Sequence, residues 1–291
     1  MFIIGYLFWM KQRKLNFKLG TSLVTLAGIL ASVHLGQAER LEPYRCGSTL
    51  EDAKCLLRTV FPYGALGERR QQLPAPLEDM IGRQVAITAS VFRNFLVGHG
   101  INEGSLGGSV SEPLSMTKRG DIADYFVIHD TSTPAYANHE EFPAVIDEAV
   151  WNQKMLQSLA RQKNAHVFID RTGQSKTSVN FAAPLRTTAF EKLAEVSRRG
   201  LFLGIELIQP RKLDPQGVDA FAPKPGFTET QLDRLALTYI AASIRRGRWM
   251  IPAFHAAIDA GLYNAHDDPQ NFDLKQWAQR LQVLLAFNFS R

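Results

Sequence analysis

The chain is poor in cysteine throughout and lacks acid where it begins. Cys46 and Cys55 are its two cysteines in 291 residues, too few to make a metal site by themselves. Residues 1–38 contain no aspartate or glutamate. No G-x-S-x-G elbow is present, so serine-hydrolase chemistry has no local support. There is no P-loop, no dinucleotide-binding glycine fingerprint, no H-E-x-x-H and no internal repeat. The formal charge of +5 suggests a basic protein until it is located. Lys11, Arg13, Lys14 and Lys18 supply +4 of it, which leaves 29 basic against 28 acidic residues, or +1, for positions 39–291. Nucleic-acid binding thereby loses its electrostatic footprint. At 45% hydrophobic the chain is too apolar to be disordered and long enough for one ordinary domain plus an extension.

What is present begins with a secretory signal over residues 1–38. A basic stretch, Lys11 to Lys18, precedes an apolar run from Leu19 to Val33, and Gly36-Gln37-Ala38 offers small residues at the two positions that signal peptidase reads. The apolar piece Met1 to Trp9 lies upstream of the basic region, the wrong order for a signal, so Met10 is read as the start. An apolar run of about 15 residues is short for a membrane span, so cleavage after Ala38 is expected over an uncleaved anchor, and the membrane is met only through this segment. No cysteine adjoins the cleavage site, which argues against a lipoprotein. Export to an oxidising compartment makes a Cys46–Cys55 disulfide the expectation.

Residues 39–120 read as an irregular extension. It has a short helix near Thr49 to Leu57, proline-rich text, an apolar run from Val85 to Val97 expected to form one or two strands, and a mobile glycine-rich loop over Gly98-His99-Gly100 and Gly104 to Ser111. From residue 121 strands alternate with helices. Tyr125 to Ile128 is a buried strand that runs straight into His129, residues 140–163 have near-helical apolar spacing, and strands are expected at His166 to Asp170 and Ser178 to Phe181. His166 is read as a core histidine. A helix over Thr188 to Arg198 leads to the strand Leu201 to Ile208, whose Glu206 is costly to bury as a charge and so must be paired, protonated or facing a cleft. A capping box, Thr228 with Gln231, opens the next helix, and Asp273 caps the last one. The fold class that follows is α/β: a mixed central sheet flanked by helices, with an irregular N-terminal extension.

Three features remain: His129 at a strand end, Glu206 on an apolar strand, and His255, His266 and Asp268 near the C-terminus. In this order the chain resembles the zinc-dependent N-acetylmuramoyl-L-alanine amidases of the peptidoglycan-recognition-protein fold. The motifs are Val127-Ile128-His129, then Ala165-His166-Val167-Phe168-Ile169 with the turn Thr172-Gly173, then Gly204-Ile205-Glu206-Leu207, and finally His255 followed by His266-Asp267-Asp268-Pro269. The resemblance spans residues 121–285 and implies that residues 121–291 form a zinc amidase domain. It implies His129, His255 and Asp268 as zinc ligands, Glu206 as general base, and His266, where the family has lysine, as donor to the oxyanion. The substrate it implies is peptidoglycan or a muropeptide, cut between N-acetylmuramic acid and L-alanine by a periplasmic or secreted enzyme. Two imidazoles and a carboxylate agree with this independently, because they leave a fourth tetrahedral position open, the mark of a catalytic zinc site. Of His266 and Asp268, the spacing and the Asp-Pro pair favour Asp268 as ligand. The family's Trp-His-Ala-Gly segment is absent, with Thr187-Thr188-Ala189-Phe190 in its place. A non-catalytic peptidoglycan binder and a metallopeptidase acting on another amide are the alternatives.

Overall fold

The computed structural model describes residues 44–193, 198–214, 220–224, 226–263 and 265–289; the expected signal segment, 1–38, lies outside them. In chain order the described elements begin with helices α1 (Thr49–Leu56), α2 (Ala75–Met80) and α3 (Ala89–Gly98). They continue through β1 (Tyr125–Asp130), β2 (Ala135–Tyr136), α4 (Ala149–Ala160), β3 (Val167–Ile169), β4 (Ser175–Thr177), α5 (Ala189–Leu193), β5 (Phe202–Leu207), β6 (Arg211–Leu213) and β7 (Ala220–Phe221). The last are α6 (Glu229–Arg246), β8 (Ile251–Phe254), α7 (His255–Ile258) and α8 (Leu274–Asn288). Five strands form one sheet in the order β4-β3-β5-β1-β8, and β2-β6-β7 form a smaller one. In the large sheet β3, β5, β1 and β8 are parallel, and β4 joins the edge antiparallel to β3. Helices pack against it, α1 on β8 and α4 and α6 on β3, which is the mixed α/β architecture expected.

The central position of β1 explains its sequence. With strands on both edges and cover on both faces, every residue of Tyr125–Asp130 is buried, so the apolar run is continuous rather than alternating. Successive side chains still take opposite faces. Phe126 meets Tyr239 of α6 at 5.2 Å between ring centres, and Tyr239 meets Trp277 of α8 at 5.4 Å. On the other face Tyr125 meets Tyr44 at 5.2 Å, and Tyr44 also contacts Phe190 and Phe202. The Tyr125 hydroxyl donates to the buried Asp52 of α1 at 3.1 Å. Residues from the N-terminal region thus contribute to the same core as the strands.

Three local expectations are corrected. The run Val85 to Val97 is no strand: Thr88 caps a helix by accepting the Val91 N–H, and Phe92 and Leu96, one turn apart, are the buried residues of α3. Ser178 to Phe181 is likewise not a strand, since the edge strand lies earlier, at Ser175–Thr177, pairing with β3. The loop from Gly104 to Ser111 is packed: Leu106 and Val110 are buried, and Gly107, at φ 101°, lies so close to Phe181 that a Cβ would sit 2.2 Å from its ring. The capping box of Thr228 and Gln231, the Asp273 cap and the buried His166 are as expected.

Cys46 and Cys55 form the expected disulfide, which closes a short loop around the start of α1. A loop of about ten residues constrains the unfolded chain by about 2–3 kcal/mol. Cys55→Ser should lower the unfolding free energy by that amount in urea titrations, and reduction of the wild-type protein should reproduce the shift.

Candidate metal centre

The strand register assembles the site. His129 of β1 pairs with Glu206 of β5, and Ile128 pairs with Phe254, the last residue of β8, so His255 emerges beside His129. All three stand at the carboxyl ends of parallel strands, where open α/β sheets place their ligands. Gly204, two residues before Glu206, faces Thr187, whose methyl would be 2.6 Å from a Cβ at that position. Glycine is what lets the segment 186–189 close over β5. His166 holds the same strand as a neutral imidazole: Nδ1 accepts the Gly204 N–H and Nε2 donates to the Ala183 carbonyl, while burial lowers its pKa to about 4.

Asp268 arrives by a separate route. Its carboxylate accepts the Asp130 N–H at 3.2 Å, and its carbonyl accepts the Ala256 N–H at 2.9 Å. The segment before it is fixed by Arg211, a fully buried guanidinium that donates to both oxygens of Asp130 at 3.0 and 2.8 Å and to Asp267 at 2.9 Å. Asp130 in turn accepts the Gln270 N–H at 3.1 Å. Asp130, Arg211 and Asp267 were not singled out in the sequence, and no local pattern marks them.

The three side chains that converge are His129, His255 and Asp268, all buried. The Nδ1 atoms of the two histidines are 2.9 Å apart, His255 Nδ1 lies 3.0 Å from one Asp268 oxygen, and His129 Nδ1 lies 3.5 Å from the other. Donors held ~2.0–2.1 Å from a tetrahedral zinc stand roughly 3.3 Å from one another, close to the spacing found here. These residues could hold a metal ion.

The electrostatics fit the same purpose. Burial, reinforced by neighbouring His255, lowers the His129 pKa to about 3. Burial would lower His255 too, but the Asp268 charge and hydrogen bonds to Asp259 and Asp268 outweigh it and raise its pKa to about 10. Asp268 is held well below the usual carboxylate range: burial alone would raise it, and the charge and hydrogen bond of His255 prevail. One proton on His255 therefore balances the cluster, and a metal ion would displace it. Burial, then the Asp268 charge, pushes Glu206 well above the ordinary glutamate range, and its Oε2 is buried without a hydrogen-bond partner among the described residues. A cation within the cluster would return that carboxyl to its charged form.

An open cavity of about 540 Å³ lies over the cluster, with His129, His255, Asp268 and Glu206 in its lining. His266 is at the rim. Its ring stacks on His255 at 4.4 Å, its side chain is 60% exposed, and Nδ1 is 3.7 Å from Asp268. It stands beside the convergent three rather than among them. Thr187, Thr188 and Ala189 form one wall, held from behind by Glu191, whose carboxylate accepts the Thr187 and Thr188 N–H groups at 2.8 and 3.2 Å.

No protein-family model and no curated protein matches this chain. A solved structure described as the crystal structure of a selenomethionine derivative of AmpD is similar over 60% of this chain and 92% of its own, at 19% identity and a TM-score of 0.33.

Proposed function

We propose that this chain is an exported zinc amidase that hydrolyses the bond between N-acetylmuramic acid and L-alanine in peptidoglycan stem peptides. The observation that carries the hydrolytic part is the meeting of His129, His255 and Asp268 with Glu206, whose buried Oε2 has no hydrogen-bond partner among the described residues, at the floor of an open cavity. The choice of substrate rests on the ordered motifs from Val127-Ile128-His129 to Asp268-Pro269. Zinc held by the three residues would polarise the amide carbonyl and acidify water. Glu206 takes the proton of the attacking water and delivers it to the departing L-alanine amine, so the carboxyl ends as it began. His266, at the rim, donates a hydrogen bond to the oxygen on which charge develops, a contribution on the order of 3 kcal/mol in enzymes where one such donor has been removed. The resembled family has lysine at this position. On this reading residues 121–291 carry the chemistry, and residues 39–120 add a docking surface or lid beside it.

The disulfide is compatible with export, and no helix among the described residues is long and apolar enough to cross a membrane. Incubation of the zinc-loaded protein with purified muropeptides, followed by mass spectrometry, tests the proposal. Release of free stem peptide with an L-alanine amine end is the expected result. Cleavage at another amide would reassign the protein as a peptidase, and retention of muropeptide without cleavage would make it a binder.

A further inference from the structure

Asp259 is completely buried, four residues after His255, and takes no part in the chemistry above. One of its oxygens, Oδ2, lies 2.8 Å from His255 Nε2 and also accepts the Ala189 N–H at 3.0 Å, while Oδ1 accepts the Phe190 N–H at 2.8 Å. The same carboxylate therefore faces a candidate ligand on one side and the start of α5, the cavity wall, on the other. His255 turns Nδ1 towards His129 and Asp268. With Nδ1 committed to a metal, the remaining ring proton must sit on Nε2, the nitrogen that lies 2.8 Å from Asp259 Oδ2. A carboxylate in that place fixes both the tautomer and the ring plane of a ligating histidine, and its loss elsewhere costs about 10–100-fold in metal affinity.

We propose that Asp259 is a positioning residue that couples His255 to the cavity wall, so that metal binding and the order of residues 187–190 reinforce each other. The inference rests on the zinc reading of the cluster. It assigns to Asp259 a task that Glu191 does not share, although both carboxylates hold the same wall. Glu191 anchors Thr187 and Thr188 without touching His255, whereas Asp259 anchors Ala189 and Phe190 and reaches the ligand. A wall that was merely loosened would respond equally to loss of either.

The test compares wild type, Asp259→Asn, Asp259→Ala and Glu191→Gln. Zinc affinity is measured by competition with a chromophoric chelator, and amide hydrogen exchange at Ala189 and Phe190 with and without zinc. Folding is checked by urea unfolding, and Asp259→Asn keeps the shape of the side chain should the alanine variant fail to fold. The expected result is a loss of about 10–100-fold in zinc affinity for Asp259→Asn, with Glu191→Gln within about twofold of wild type. Zinc should slow exchange at Ala189 and Phe190 in wild type but not in Asp259→Asn. Equal losses in Asp259→Asn and Glu191→Gln, or unchanged affinity in Asp259→Asn, would overturn the coupling while leaving the zinc reading intact. Absence of zinc binding by the wild-type protein would overturn both.

Discussion

Asp268→Ala should leave the purified protein without zinc and without turnover, whereas Glu206→Ala should retain about one zinc per chain and lose turnover by roughly 100- to 10,000-fold. The two residues lie in one cavity, yet they do different things. Asp268 supplies the charge that the cluster needs, since both of its oxygens face the histidines, at 3.0 Å from His255 and 3.5 Å from His129. Without it two buried imidazoles remain, and a divalent cation has no anionic ligand. Glu206 has no place among the three convergent donors. Its Oε2 is buried and free of hydrogen bonds among the described residues, as a group reserved for proton transfer would be. Metal content by atomic absorption and muropeptide hydrolysis, measured on the same samples, separate the two roles. A fully active Glu206→Ala protein would show the general-base assignment to be wrong.

Arg211→Met should cost about 3–5 kcal/mol of folding free energy, the range found when one partner of a buried ion pair is removed. The guanidinium is wholly buried and holds Asp130 through two hydrogen bonds while reaching Asp267 with a third. Burial already raises the Asp130 pKa, and Arg211 is the main influence holding it down. Once Arg211 is gone, Asp130 must take a proton or remain as an uncompensated charge. The damage should reach the metal centre, because Asp130 and Asp267 adjoin His129 and Asp268 in the chain. Urea unfolding of Arg211→Met and of the double variant Asp130→Asn/Arg211→Met provides the check. The double variant should recover part of the loss, since the charge left behind, more than the missing contact, is what destabilises.

How far the site could be read in advance depended on where each residue's partners lie. A buried parallel strand is nearly all apolar, so a histidine at its end or a glutamate within it stands out, and His129 and Glu206 were visible for that reason. That they share a register across β1 and β5 was not, because strand order is a tertiary fact. His255, Asp268 and His266 lie within fourteen residues of one another, and their spacing invited a joint reading. The structure brings Asp268 in with the two histidines and stacks His266 against His255 at the rim. Arg211 meets Asp130 across 81 positions, a distance at which no local pattern forms. Asp259 was legible in principle, since a carboxylate one helical turn after a histidine returns to its side. The helix α3 was misread because an apolar run hides its own period: only Phe92 and Leu96 of it are buried, and the cap at Thr88 was the better signal.

Tyr44 sits at the first described position of the chain, and its ring covers Tyr125, Phe190 and Phe202. Two of these belong to the strands that deliver His129 and Glu206, and the third to the wall that Asp259 holds. The N-terminal region therefore acts as the lid on the hydrophobic underside of the site. A fragment begun at residue 121 would carry every candidate ligand and yet lose the ring that covers Tyr125, Phe190 and Phe202, so the strands that deliver the ligands depend on residues outside the stretch that holds them.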